Sequence, residues 1–331
     1  MIPKSDQHIS ILDSLRAFAA ISVCVYHFVC TTTGYINTKW VLDIFSIGKH
    51  GVQLFFVISG FVIPWAMYCA KFHLKDFFKF ILKRIVRLEP PYVFSVCLTL
   101  IFLFLRAKIL HSQNDHVAIS STQLVLHFGY LIPFFEKFNW LNNVYWTLAI
   151  EFQYYFFIAL LFLPLVHSNI FLRIVIYISS ILLSFTTSQE FLPFWLPVFF
   201  IGILLFMFYA KIINSKEFYL VLILFLSVAL YKYSFASVCY SIIPVAGLLF
   251  WPNIKIAVLD TLGKFSYSIY LFHPLLGATF INLMSHHFTS PVAKCLVILA
   301  GLIITIVGSW ITYLIIEKPS KKASSKIKYK H

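Results

Sequence analysis

Apolar runs of about 20 residues, long enough to cross a lipid core, recur along the whole chain, and this feature removes most folds from consideration. A soluble helix buries one stripe and keeps the opposite face polar; helix after helix that is apolar on every face has lipid as its solvent. Lipid offers no hydrogen bonds, so the backbone must satisfy itself inside helices or inside a closed barrel. The runs are continuous rather than alternating, which excludes the barrel. Of 331 residues, 60% are hydrophobic, 37 are Phe and 11% are charged, against roughly a quarter charged in soluble chains. The expected fold is an all-α polytopic membrane bundle of about ten transmembrane helices, at 10–32, 50–70, 88–106, 143–165, 170–187, 193–212, 217–232, 235–251, 263–284 and 293–316. Residues 1–316 read as one membrane domain and 317–331 as a basic cytoplasmic tail, disordered on the anionic inner leaflet. Asp13 and Arg16, standing where an apolar core should begin, argue against a cleaved signal peptide at the first span.

The net charge of +14 invites a nucleic-acid partner until its distribution is considered. With alternating spans and a cytoplasmic N-terminus, 18 of the 26 Lys and Arg residues fall on the inner side, 7 on the outer side, and Arg16 lies within the first span. This is the positive-inside pattern. The excess is a topology signal, with both termini expected in the cytoplasm, and no nucleic-acid partner is implied. The six cysteines are scattered through apolar runs without metal-ligand spacing, so no metal site is expected. No pattern sets an oligomeric state.

Polar residues inside spans are the candidates for chemistry, because each costs about 2.5–3.5 kcal/mol at bilayer mid-depth when charged. In SLRAFAAISVCVYHF (14–28), Arg16 and His27 lie on nearly the same face, about 16 Å apart along the helix, and Asp13 joins that stripe. Glu151, in VYWTLAIEFQYYFF, is expected about two turns below the outer surface, level with His27. There it either orients the imidazole as a general base or bonds Tyr154, Tyr155 or Thr147 on its own helix. Arg84 and Arg87, with Lys83 beside them, either form a phosphate site at the inner face, for which the guanidinium fork is suited, or are simply positive-inside charge. In GVQLFFVISGF (51–61), Gly51, Ser59 and Gly60 permit close helix approach, and Gln53 is a buried amide. In FSYSIYLFHP (265–274), Tyr270 and His273 are near mid-depth, and Pro274 frees a backbone carbonyl, for a kink or for a polar cavity. The inner segment from His73 to Tyr92 is amphipathic and expected in the interface plane, turning near Pro90 and Pro91. The outer connection, about 107–142, carries QLVLHFGYLIPFF, too short to span and read as interfacial or re-entrant.

Taken together, these motifs resemble the acyltransferase 3 family of integral membrane acyltransferases, which O-acylate surface and exported glycans. Leu12, Asp13, Leu15, Arg16 and His27 are similar to its L-D-G-L-R-G entry with R-x(10)-H. GVQLFFVISGF, KRIVRLEPPY, WTLAIEFQYYF, FSYSIYLFHP and the late IEKP are similar to further motifs, in order along the whole chain. Departures are Ser14 and Ala17 for Gly, Phe152 where a second acidic residue is common, and Glu89 and Pro91 in the third-span motif. The resemblance implies an acyl-CoA donor, acetyl-CoA by default, and a carbohydrate acceptor at the bacterial cytoplasmic membrane, among membrane lipid. It implies His27 as base, or as nucleophile of an acyl-histidine, with Glu151 fixing its tautomer, and Arg84, Arg87 and Arg16 on the CoA phosphates. Trp146, Tyr154, Tyr270 and His273 become candidates for the oxyanion or the acceptor, with Trp140 and Asn143 at the loop end. The rival readings are a transporter or exporter of an acylated glycan or small metabolite, and a non-catalytic scaffold.

Overall fold

The structure, a computed structural model, describes residues 9–32, 34–110, 119–167 and 169–329; among these it is helical, with no strand. Lys4 and Lys330, counted above with the inner basic residues, and 111–118 of the outer connection lie outside the described residues. The helices are α1 (Ile11–Tyr26), α2 (Lys39–Ser46), α3 (Gly51–Cys69), α4 (Phe77–Leu110), α5 (Ser121–Phe128), α6 (Tyr145–His167), α7 (Ile170–Ser184), α8 (Leu192–Tyr209), α9 (Ser215–Lys232), α10 (Phe235–Phe250), α11 (Ala257–Gly263), α12 (Ser266–His273), α13 (Thr279–Met284), α14 (Pro291–Thr312) and α15 (Lys318–Ser325). Each expected span coincides with helix, but among the described residues six helical stretches have the length and apolar composition to cross a bilayer: those containing α1, α3, α4, α6, α8 and α14. Helices α7 and α10 are shorter apolar helices. The span expected at 263–284 is divided into α12, a π-helical turn at Pro274–Ala278, and α13.

Helix α8 is the axis of the bundle. It has no polar stripe, and Leu196 and the stretch from Val198 through Met207 are buried on all sides. It crosses α3 where two glycines face each other. A Cβ at Gly60 would sit 2.3 Å from the Phe199 carbonyl oxygen, and one at Gly202 would sit 2.1 Å from that of Val57. The backbones therefore touch, as small residues allow in membrane helices, where dispersion and close packing replace the hydrophobic drive. This holds the motif residues of α3 against the core.

The outer connection is re-entrant in the part described. Ser120 caps α5, its Oγ accepting the Gln123 N–H at 3.1 Å. His127 at the end of α5 is fully buried. Its carbonyl accepts the Tyr92 hydroxyl at 3.0 Å, and its Nε2 accepts the Leu141 N–H at 3.3 Å. Tyr130 packs on Tyr92 and on Phe152, with ring centroids 5.0 and 5.1 Å apart. The buried His127 and Tyr130 pack over the start of α6, which lies at mid-length of α4: the Tyr145 hydroxyl bonds Ser95 Oγ at 2.7 Å and Thr99 Oγ1 at 3.1 Å.

On the inner side, two expectations are corrected. Helix α4 runs unbroken through Pro90 and Pro91 instead of turning there. The described tail is helical to Ser325 and docked rather than disordered: Ser324 Oγ donates to the Lys83 carbonyl at 2.7 Å, and the Tyr329 ring lies 6.0 Å from that of Phe72. Ser320 and Ser324 give α15 a small buried face, while Lys318 and Lys322 are exposed.

Two outcomes follow from this packing. Gly202→Val should force α3 and α8 apart and lower stability by about 1–3 kcal/mol, read as a reduced melting temperature in detergent; an unchanged melting temperature contradicts the crossing. Burial pushes His127 down to about 4, below an unfolded value of about 6.5. The unfolded chain binds the proton first, so the stability from neutral His127 is complete above about pH 6.5 and is lost as pH falls toward 4. Hydrogen exchange of 121–142 should accelerate over that window in the parent and much less in His127→Gln.

Candidate active site in three adjoining cavities

Three cavities follow one another along the polar stripe of α1. The inner mouth, about 380 Å³, is lined by Asp13, Arg16, Lys83, Arg87, Lys264, Tyr313 and Lys321, with Ser324 and Ser325 of α15. A narrow inner cavity of about 100 Å³ shares Arg16, Arg87, Gly263 and Lys321 with the mouth. It rises past Ser59, Glu151, Tyr267 and Thr147 to Val52 and Tyr270. Those last two side chains also belong to the outer cavity, about 330 Å³, which holds His27, Lys49, Gln53, Asn143, Trp146, Gln189 and Trp195. Val52 and Tyr270 are thus the partition between the inner and outer compartments. The Tyr270 hydroxyl is fixed by Thr147 Oγ1 at 2.8 Å, and Thr147 in turn donates to the Val144 carbonyl at 2.9 Å.

His27, on the wall of the outer cavity, pairs with His273, which is fully buried behind it, and the protonation of both can be assigned from their partners. Pro274 has no N–H, so the carbonyl four residues back, that of Tyr270, loses its helical partner. His273 Nδ1 lies 2.7 Å from that oxygen. A carbonyl only accepts, so Nδ1 carries the proton of the neutral ring and Nε2 is an acceptor. His273 Nε2 lies 3.0 Å from His27 Nδ1, which is also 2.9 Å from the Val23 carbonyl. Both partners accept, so the proton of His27 sits on Nδ1 and its Nε2 keeps a free lone pair. His27 opens a π-helical turn (His27–Thr31), and His273 immediately precedes the one at Pro274–Ala278. Such turns release helical backbone groups and recur at functional sites.

The structure separates the two residues expected to act together. Glu151 is not beside His27. Its Oε1 accepts the Tyr155 hydroxyl at 2.7 Å and the Ser59 hydroxyl at 3.2 Å, and it lines the inner cavity with Arg16 and Arg87. Because α6 begins at the level of Ser95, Glu151 lies about 9 Å further along the helix, on the Arg16 side of the Tyr270 partition. His273 occupies the place assigned to the carboxylate. Arg16 and Arg87 do line the mouth and inner cavity, but Arg84 does not. It is buried, 5.2 Å from the Phe80 ring and 5.5 Å from the Tyr155 ring, and its Nε has no hydrogen-bond partner. Tyr154 is a core residue stacked on Phe199 at 4.2 Å, its hydroxyl unpartnered. Trp140 packs on His127 at 5.2 Å and lines none of the three cavities. Trp146 and Asn143 line the outer cavity, Trp146 against Trp195 with centroids 5.7 Å apart. Gln189 and Lys321 were not anticipated: the first comes from a short connection without a pattern, the second from a tail read as surface charge. Among the described residues no group of three His, Cys, Asp or Glu side chains is placed to hold a metal ion.

Comparison with known proteins places this arrangement. The family model described as an acyltransferase domain, Acyl_transf_3, matches residues 9–314. The chain belongs to this acyltransferase family. It is similar to the O-acetyltransferase OatA of Staphylococcus aureus (strain NCTC 8325 / PS 47), 31% identical over 170 residues, 49% of this chain and 26% of OatA. ORF330 of Acidianus two-tailed virus, assigned as an acetyltransferase, is 28% identical over 292 residues, 79% of this chain and 81% of ORF330. YrhL of Bacillus subtilis (strain 168), assigned as a peptidoglycan O-acetyltransferase, is 33% identical over 154 residues, 44% of this chain and 22% of YrhL. The matched region spans about a quarter of the length of OatA. No solved structure matches the chain.

Proposed function

We propose that this protein is a membrane O-acetyltransferase that takes an acyl group, acetyl by default, from cytoplasmic acyl-CoA and transfers it to a carbohydrate hydroxyl presented from the other side. The observation that carries this reading is the His27 Nε2 lone pair, aimed by two acceptors on the other ring nitrogen, in a cavity one partition away from a basic inner compartment. Ten spans with both termini cytoplasmic, the arrangement favoured by the basic-residue distribution, set the mouth at the cytoplasmic face.

In this mechanism the phosphates of CoA stay at the mouth with Arg16 and Arg87, and the pantetheine arm follows the narrow inner cavity past Glu151, whose carboxylate accepts an amide N–H of the arm. The thioester reaches the partition at Tyr270 and Val52. His27 Nε2 removes the proton of an acceptor hydroxyl in the outer cavity, and that oxygen attacks the thioester carbonyl. The C–O bond forms and the C–S bond breaks. The thiolate of CoA leaves inward, and the proton held on His27 returns to solvent. The Trp146 indole N–H is the donor on this cavity's wall for the oxyanion. The adjacent Trp146 and Trp195 rings, with Gln53, Asn143 and Gln189, supply the apolar face and amides that a sugar ring uses. His273 positions the base: it holds His27 in the tautomer whose Nε2 is free, the role a buried carboxylate has in hydrolase triads.

His27→Ala should lower kcat for transfer from acetyl-CoA on the order of 10²–10⁴-fold with CoA affinity unchanged; measurable transfer at the parent rate sinks the assignment. His273→Gln should lower kcat with little change in KM and displace the pH–rate profile. Glu151→Gln should act on the donor side, raising KM for acetyl-CoA, rather than altering that profile. For orientation, single cysteines at Ser325 and Asn143 in a cysteine-free background should label from opposite faces, Ser325 from the cytoplasm.

A further inference from the structure

We propose that the tail helix α15 is a wall of the donor site and that Lys321 binds a phosphate of the nucleotide end of the donor. This rests on the acyl-CoA reading above and adds to it an element outside the matched family region, which ends at residue 314.

The position of α15 comes first. It continues the last membrane helix without a break, within a helical stretch running from Pro291 to Ser325, and the tail is fastened across the mouth to Lys83 of α4, through the Ser324 hydroxyl and through the Tyr329 ring, 5.9 Å from the Lys83 ammonium. Three of its residues, Lys321, Ser324 and Ser325, face the mouth. Lys321 reaches further: it also lines the inner cavity, and so stands at the throat between the two compartments. Its ammonium is held rigidly. One N–H goes to the Lys264 carbonyl at 2.7 Å, and the group pairs with Glu317 Oε1 at 2.7 Å. Glu317 is itself buried and receives the Ser268 hydroxyl at 2.5 Å. An ammonium has three N–H donors, so with these two partners at least one is left for a ligand. The ammonium also lies 5.2 Å from the centroid of the Tyr313 ring, another wall of the mouth. A lysine so mounted forfeits little side-chain entropy when it takes an anionic ligand.

Charge identifies the ligand class. The mouth holds five basic side chains, Arg16, Lys83, Arg87, Lys264 and Lys321, against one carboxylate, Asp13. The 3′-phosphate and diphosphate of CoA together carry about four negative charges near neutral pH, opposite in sign to the excess that remains after Glu317 is set against Lys321. Pantetheine is neutral and needs none of it. The tail therefore recognises the phosphorylated nucleoside and not the acyl-bearing arm, so the two parts of the donor are read by different segments of the chain. A lipid headgroup offers the same phosphate chemistry, and the choice between the two sources is made in the test.

The full chain in phosphatidylcholine nanodiscs, titrated calorimetrically with CoA and with adenosine 3′,5′-bisphosphate, provides that test. Lys321→Gln should weaken both ligands about tenfold, the scale of one charge-assisted hydrogen bond, and Lys321→Arg should recover most of the loss. Because Lys321→Gln also strips Glu317 of its partner, the exposed Ser325→Glu is the second variant; a carboxylate at the mouth should weaken CoA several-fold without touching the core. Turnover with S-acetyl-pantetheine, which has no phosphate, should respond to Lys321→Gln far less than turnover with acetyl-CoA does. Equal CoA affinity in the parent, Lys321→Gln and Ser325→Glu overturns the role of the tail and leaves the acyltransferase reading intact. A parent that binds neither CoA nor the bisphosphate overturns both. Loss of CoA binding when phosphatidylglycerol is added to the disc assigns the mouth to lipid headgroups and overturns the inference.

Discussion

The hydrogen bond from His27 Nδ1 to His273 Nε2 is the interaction on which the functional architecture turns. Inside a lipid-embedded bundle an imidazole without a partner is expensive, and a partner that accepts from one nitrogen determines what the other can do. Here the direction of the bond is set by a proline. Pro274 leaves the Tyr270 carbonyl unbonded, that carbonyl takes the His273 Nδ1 proton, and His273 Nε2 then accepts from His27. A covalent property of one residue is carried through two rings to a free lone pair in the outer cavity. Tyr270 joins this relay to the inner compartment, because its backbone anchors His273 while its side chain partitions the cavities.

Around this pair the bundle separates its electrostatics by side. The mouth concentrates guanidinium and ammonium groups and the outer cavity is lined by amides, indoles and imidazoles with a single lysine, Lys49. The aromatic core between α3, α6 and α8 keeps those compartments in register. Backbone contact at Gly60 and Gly202 brings α3 against α8, and Tyr154 stacks α6 onto Phe199 of α8. Rigidity of this kind suits a site in which a base, a partition and an anion-binding throat must keep their spacing along one helix.

Much of this was legible in the residues. Arg16 and His27, on one stripe of the first helix, line the mouth and the outer cavity respectively, and the Gly60 crossing and the carbonyl freed by Pro274 follow from local chemistry. What misled was depth. Counting residues down from an expected surface put Glu151 level with His27, because the count assumed that α6 begins at the interface; the re-entrant segment with buried His127 lowers its start to Ser95. Arg84 and Arg87 are three residues apart, about 60° on the helix, enough to turn one into the Phe80 and Tyr155 rings and the other into the cavity. Glu151 and Tyr155, four apart, share a face, whereas Tyr154 turns onto α8. The tail carried no apolar periodicity to reveal its docking, since small serines and one tyrosine, rather than a hydrophobic stripe, make its contacts. Tertiary neighbours decided each of these cases, and no local pattern encodes them.

In the proposed mechanism one route through the protein brings a donor from one face to an acceptor on the other, and the two meet at His27. Sealed proteoliposomes of known protein orientation, with labelled acetyl-CoA on the side of the mouth and a soluble oligosaccharide acceptor only on the side of the outer cavity, address it directly. Labelled acetyl ester should appear on the acceptor in the opposite compartment, with all CoA retained on the donor side. Ester formed only when donor and acceptor share a compartment would contradict that mechanism.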